Sequence, residues 1–235
     1  MKLKVFTTVT NQPSFAELQA KTFQEFLECD YEFHIVDDSV GYNQEYQQIC
    51  QDYGAHYHLK EEKIVPHDPM RSCAQAVQWT YDNLMHNCED DIVLFLDSDM
   101  FLFQKFNPID YMQDKVITGC LQTRGSVDYL WNGILLFNMP KIHHQKGKLD
   151  FGCGIVEGEF CDVGGKTYYF LNENNIQVDD LRPKFEGQYN GIDLENMETF
   201  MNEKFFHFRG GALWDGKVDV FERKIKILQE VLKTI

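Results

Sequence analysis

Apolar positions along the first half of this chain alternate between two rhythms, one of strands and one of helices. Leu3 to Thr10 alternates as a strand does. Pro13 then lies near a helix start, with Asn11 or Ser14 as candidate caps, and Phe15, Leu18, Thr22, Phe26 and Leu27 recur at helical spacing. Tyr31 to Val36 reads as a second strand, ending in Asp37-Asp38-Ser39. A polar helix over Asn43 to Tyr53 and a short strand over Ala55 to Leu59 follow. From Pro69 to His86, Met70, Ala74, Val77, Tyr81 and Leu84 share one helical face. Ile92 to Leu96 is apolar at every position and bounded by acids, the pattern of a strand buried on both sides. This β-α-β-α-β-α-β order predicts an α/β fold with a mostly parallel central sheet flanked by helices.

The second half is less regular. Lys115 to Leu121 and Tyr129 to Phe137 read as strands, the latter closed by Asn138-Met139-Pro140. Residues 143 to 166, rich in Gly, Lys and His, predict a loop region able to cover a site, and Val163 to Asn172 a helix. Phe205 to Phe208 suits a strand, and Val218, Phe221, Ile225, Leu228, Val231 and Ile235 predict an amphipathic closing helix, with a small antiparallel addition to the sheet. With no repeat and no linker, a single domain over 1–235 is expected.

Composition narrows the function. The chain has 235 residues, 43% apolar, 14% aromatic and 25% charged, which is ample for a packed core. Its net charge of −15 excludes broad electrostatic attraction to nucleic acid or anionic membranes. No apolar run is long enough to span a bilayer, and MKLKVFTTVT already alternates as a strand, without a signal core. The cysteines (29, 50, 73, 88, 120, 153 and 161) are scattered and odd in number, which favours reduced thiols over a disulfide frame or zinc site. A cytoplasmic location is expected.

The central chemical feature is Asp97-Ser98-Asp99. An Asp-x-Asp triplet arises easily by chance in so acidic a chain, but this one ends the most buried-looking strand, and ligands of open α/β sheets bind beyond the carboxyl ends of strands. Two carboxylates at i and i+2 in a turn can converge on one hard cation, Mn²⁺ or Mg²⁺, which in turn meets phosphate oxygens. An acidic protein handling a phosphate substrate needs such a cation to offset its own field. The residues alone thus point to metal-dependent chemistry on a nucleotide diphosphate. The plainer reading is a solvated strand end with Asp caps.

LFLDSDMFLF resembles the DxD strand end of nucleotide-sugar glycosyltransferases of the GT-A fold, and four further segments follow in the order of that fold. TTVTNQPSF resembles the first strand and turn of glycogenin-like members, which implies that Thr8, Thr10 and Asn11 line a base and ribose pocket. HIVDDS is similar to a second-strand end that receives the uracil N–H, which implies Asp37 or Asp38. WNGILLFNMP resembles the strand bordering donor sugar and acceptor, which implies Asn132 and Gly133, although here the Asn directly precedes the Gly. HFRGGALW resembles the late His-x-x-G motif, which implies His207 as a third metal ligand beside Asp97 and Asp99, with Arg209 and Gly210 approaching phosphates. Arg71 is similar to an Arg near the nucleotide in some members, and Ser98 would lie at the donor between the two carboxylates. In size and style the chain is also similar to small glycosyltransferases of chlorella-type large DNA viruses.

The resemblance implies transfer of a hexosyl, deoxyhexosyl or pentosyl group from a nucleotide-sugar donor, expected to be a UDP-sugar, to a hydroxyl of a glycan or glycoprotein acceptor. About 1–103 would bind the nucleotide and about 104–235 the acceptor. Asp162, in CDVGGKTYYFLN, lies where such enzymes carry an acid near the reacting sugar. It suits a general base in an inverting enzyme, a contact to donor hydroxyls in a retaining one, or an N-cap. The glycogenin-like start and His-x-x-G end lean slightly to retention. Each residue has a plainer reading: caps for Asp37 and Asp38, a solvated face for Arg71, core packing for His207, Trp131 and Trp214. Rival classes are a non-catalytic carbohydrate-binding scaffold on the same frame, a haloacid-dehalogenase-like phosphotransferase and a nucleotidyltransferase. The phosphotransferase motif normally follows the first strand, and the nucleotidyltransferase needs a Gly-rich basic loop that TNQPSF lacks. His56 and His58, and His143 and His144, lack zinc-site spacing.

Overall fold

A computed structural model describes residues 1–39, 41, 43–61, 68–208 and 218–234. In chain order the first half runs β1 (Leu3–Val9), α1 (Pro13–Phe26), β2 (Tyr31–Asp37), α2 (Gln44–Tyr53), β3 (His56–Leu59), α3 (Pro69–Asn83), β4 (Ile92–Asp97) and β5 (Met100–Leu102). It continues with α4 (Pro108–Tyr111), β6 (Ile117–Arg124), β7 (Val127–Asn138), α5 (Met139–His143), β8 (Gly154–Val156), β9 (Glu159–Cys161) and α6 (Thr167–Glu173). The last elements are β10 (Asp179–Asp180), β11 (Lys184–Tyr189), β12 (Ile192–Phe200), β13 (Phe205–His207) and α7 (Val218–Lys233).

Among the described residues, seven strands form the main sheet in the order β10-β6-β7-β4-β1-β2-β3. β1 pairs in parallel with both β2 and β4, and β2 with β3, while β7 runs antiparallel between β4 and β6. The chain therefore moves outward from β1 to β3, then returns to lay β4 on the other side of β1. That reversal opens a crevice at the carboxyl ends of β1 and β4, the place where open α/β sheets bind ligands. The sheet is mostly parallel, as the sequence pattern predicts, and every residue from Ile92 to Leu96 is buried. β1 and β4 contribute residues to apolar clusters on both sides of the sheet, one including Phe23 and Phe26 of α1 and Tyr46 and Ile49 of α2, the other Val77 and Tyr81 of α3.

A second, antiparallel sheet has the order β11-β12-β13-β5. Its core brings Phe101, Phe103, Leu194, Met197 and Phe206 against Leu228 and Val231 of α7, and Phe15 and Leu18 of α1. β8 and β9 form a separate hairpin.

Several local expectations are corrected. Helix α1 starts at Pro13 as expected, but the residue before it is Gln12, without a side-chain capping bond, rather than Asn11 or Ser14. Helix α3 stops at Asn83 and passes into a 3-10 turn at Met85–Asn87. The helix after Asp162 begins only at Thr167, so Asp162 does not cap it; its Oδ1 instead accepts from the N–H of Val163 at 2.7 Å. Among the described residues no helix is long and apolar enough to cross a membrane.

Candidate active site

The Asp97-Ser98-Asp99 segment is where the chain changes sheets: Asp97 ends β4 in the main sheet, and Met100 opens β5 in the second. Two observations explain why this tight passage holds its shape. The Asp99 carbonyl accepts from the Phe208 N–H at 2.8 Å, and the fully buried Gln19 of α1 donates through Nε2 to the carbonyls of Asp97 and Met100, each at 2.9 Å. Buried carbonyls left without donors would each cost about 1–3 kcal/mol, so Gln19 belongs to the framework of the site. A polar residue amid the apolar face of α1 was the available signal for it.

His207 reaches this turn because β13 pairs antiparallel with β5, placing His207 opposite Met100. Its Nε2 lies 3.5 Å from Asp99 Oδ1, while its Nδ1 lies 2.6 Å from Glu198 Oε2. Glu198 is directly across the ladder on β12, and sequence reasoning missed it, because strand β12 was not predicted. The carboxylate fixes the imidazole with Nδ1–H donating to Glu198, which leaves Nε2 directed at Asp99. A carboxylate behind a histidine in this manner is the common bracing of metal-ligating imidazoles.

The electrostatics show three carboxylates sharing one imidazole. Burial opposes a charge on His207, but Asp99 and Glu198 together raise it to about 10. Burial and the charge of Asp99 push Asp97 up to about 7, against the opposing pull of His207, the Ser98 N–H and Asn132. Hard carboxylate oxygens from Asp97 and Asp99 with one borderline imidazole nitrogen fit a divalent ion of the Mn²⁺ or Mg²⁺ kind.

Other residues singled out in the sequence converge here to different degrees. Thr8 sits beside Asp97 in the β1–β4 register and is buried. Asn132 of β7, also buried, donates through Nδ2 toward Asp97 Oδ2 and Cys73 Sγ, each at 3.5 Å. Cys73 of α3 was not singled out in the sequence; burial and then the charges of Asp97, Asp162 and Asp38 push its thiol well up. Ser98 donates its N–H to Asp97 Oδ1 at 3.1 Å. At Gly133 any Cβ would fall about 2.0 Å from the ring of Trp131, which stacks on Phe200 and lies 5.2 Å, ring to ring, from His207.

The second-strand acids are engaged by the protein. Asp37 accepts from the Ser39 N–H and the Tyr57 hydroxyl, both at 2.9 Å, closing the β2 turn. Asp38 forms a buried pair with Lys60 at 2.9 Å and accepts from Ser72 at 3.4 Å. Thr10 and Asn11 are exposed; Asn11 takes a left-handed φ of 52° and its N–H donates to Ser39 Oγ at 3.0 Å, tying the β1 and β2 ends together. Arg71 is exposed and pairs with Asp68 at 3.3 Å. Arg209, Gly210 and Trp214 lie outside the described residues.

The fold is of the GT-A type, a mostly parallel central sheet flanked by helices with a small antiparallel addition. Solved structures agree on the fold: an active-site mutant of LgtC is similar at 12% identity and a TM-score of 0.55, covering 97% of this chain and 95% of that one. A galactosyltransferase, LgtC, in complex with donor and acceptor sugar analogues is similar at 12% identity and a TM-score of 0.53, with the same coverage. WbbM, a bifunctional glycosyltransferase in its apo form, is similar at 9% identity and a TM-score of 0.53, covering 97% of this chain and 51% of that one. No family model matches the sequence, and no curated protein matches it.

Proposed function

We propose that the protein is a metal-dependent glycosyltransferase that moves a sugar from a nucleotide diphosphate donor, a UDP-sugar, to a hydroxyl of a glycan or glycoprotein acceptor. The observation that carries this reading is the sheet-switching turn of Asp97 and Asp99 at the β1–β4 crevice, with His207 held against Asp99 by Glu198. Asp97, Asp99 and His207 would hold Mn²⁺ or Mg²⁺, which supplies charge neutralisation for a departing diphosphate.

The chain's own residues supply the rest. Thr8 and the ends of β1 and β2, with Thr10, Asn11, Asp37 and Asp38, border the nucleotide side, roughly within 1–103, and the acceptor side falls in 104–235. Asn132 and Ser98 hydrogen-bond with Asp97 and fix its carboxylate. Gly133 leaves the room that Trp131 fills beside His207. Asp162 acts near the reacting sugar, as base for the acceptor hydroxyl or as a contact to donor hydroxyls; we favour the latter, with retention of configuration. Arg209 and Gly210 would meet the phosphates. The shared fold of LgtC, a galactosyltransferase solved with donor and acceptor sugar analogues, supports a sugar-transfer reading.

A panel of UDP- and GDP-sugars with Mn²⁺, read by slow donor hydrolysis and the anomer first released, tests this. We expect turnover with a UDP-sugar, and a fall of at least about 100-fold in Asp99→Asn with its thermal midpoint little changed. No donor binding across the panel, or full activity in Asp99→Asn, would refute it.

A further inference from the structure

We propose that Glu32, His34 and His56 form a binding site for a divalent ion of the zinc class at the β2–β3 edge, separate from the Asp97–Asp99 turn and independent of the activity proposed above. The parallel pairing of β2 with β3 sets His34 opposite His56, and Glu32 precedes His34 on the same face of β2. One ligand atom from each of the three lies within 4.8 Å of the others. His34 Nε2 and His56 Nε2 stand 4.0 and 3.9 Å from the same oxygen, Glu32 Oε2.

The third histidine, His58, bears on why His34 offers a lone pair. His34 Nδ1 faces His58 Nε2 at 3.0 Å, so one of the two nitrogens must carry the shared proton. With that proton on Nδ1, Nε2 is a bare acceptor, and it is buried without a hydrogen-bond partner. A buried lone pair aimed at a carboxylate is unfavourable until a cation lies between them. His58 would then be the partner that orients a ligating imidazole through its other nitrogen.

The remaining charges decide which ion fits. Lys4 and Lys2 approach Glu32 at 2.5 and 3.3 Å and hold its carboxylate toward the histidines, while competing with a cation for it. Two imidazoles and one carboxylate favour Zn²⁺, Cu²⁺ or Ni²⁺ over Mn²⁺ or Mg²⁺. Tetrahedral ligands at 2.0–2.1 Å lie about 3.3 Å apart, so the two imidazole–carboxylate distances need to close by about 0.6–0.7 Å, and one of the stacked rings of His34 and His56, with centroids 4.7 Å apart, needs to turn for both nitrogens to meet one ion. His56 is the exposed member, 53% accessible, and provides the path of entry. Three protein ligands leave one coordination position for water.

The test is a calorimetric titration of Zn²⁺ into the full chain carrying Asp99→Asn, which weakens competition from the other region. We expect one ion per chain and a thermal midpoint raised by about 5–10 °C at 100-fold excess over the dissociation constant. His56→Gln and Glu32→Gln should each weaken binding by about tenfold or more, and Lys4→Met, which removes the competing ammonium, should tighten it. In imidazole ¹⁵N spectra, Zn²⁺ should shift His34 Nε2 and His56 Nε2. The proposal is overturned by no zinc uptake, by uptake indifferent to His56→Gln, or by uptake lost instead in His143→Gln, which disrupts the other close histidine pair, His86 and His143 at 4.6 Å.

Discussion

At the scale of single residues, the candidate site is governed by partners that carry no motif. Glu198 is the clearest case. It touches neither donor nor acceptor in the proposed chemistry, yet its carboxylate sets which nitrogen of His207 faces Asp99. Glu198→Gln keeps a hydrogen-bond acceptor but loses the charge. We expect it to weaken Mn²⁺ binding by about 10- to 100-fold, read by the Mn²⁺ dependence of turnover, with saturating Mn²⁺ restoring most of kcat. A role confined to packing would lower the thermal midpoint without moving the Mn²⁺ dependence. Gln19 differs in kind, since its amide holds the two carbonyls that frame the turn.

At the scale of elements, the strong local patterns match the structure in the first half, and in the second half the strands at Ile117–Arg124, Val127–Asn138 and Phe205–His207 and the closing helix Val218–Lys233 match as well. Strand Ile92–Asp97 was legible because every position is apolar, and helices α1 and α3 because their apolar residues keep one face. Strands β11 and β12 were not legible. Their sequences, KFEGQY and IDLENMETF, mix Glu, Asp and Asn with apolar residues, since one face meets α7 and the other carries polar side chains such as Glu198. Three consecutive left-handed residues, Met201, Asn202 and Glu203, link β12 to β13 without a glycine to signal the turn. Of the site, the two Asp residues and His207 were visible as a motif; the pairing of Asp38 with Lys60, and the position of Cys73, depend on tertiary packing that no spacing encodes. Helix α7 supports the sheet that presents His207 and Glu198. Leu228, fully buried there, should cost about 2–5 kcal/mol when changed to Ala, measured by denaturant unfolding.

At the scale of the whole molecule, groups with raised pKa values act together on the alkaline side. His207 is raised to about 10, and burial raises Cys29, Cys50 and Cys88 to about 11. Each holds its proton in the folded state after the unfolded chain has released it. Their contribution is therefore full below the unfolded values and is lost as pH rises, first between about 6.5 and 10 for His207, then between about 9 and 11 for the thiols. Metal-free protein should lose stability over pH 7 to 9 with a slope of at most about 1.4 kcal/mol per pH unit for His207. His207→Gln should flatten that limb in unfolding experiments across pH, while leaving the decline above pH 9.

The direct opposition of Glu198 and His207 across two antiparallel strands has one more consequence. Side chains alternate along a strand, so sliding β12 by a single residue would turn Glu198 to the far side and present a neighbour instead. Under the proposed function, cation affinity would therefore also gauge alignment in the second sheet, sensitive to an error that would leave secondary-structure content unchanged.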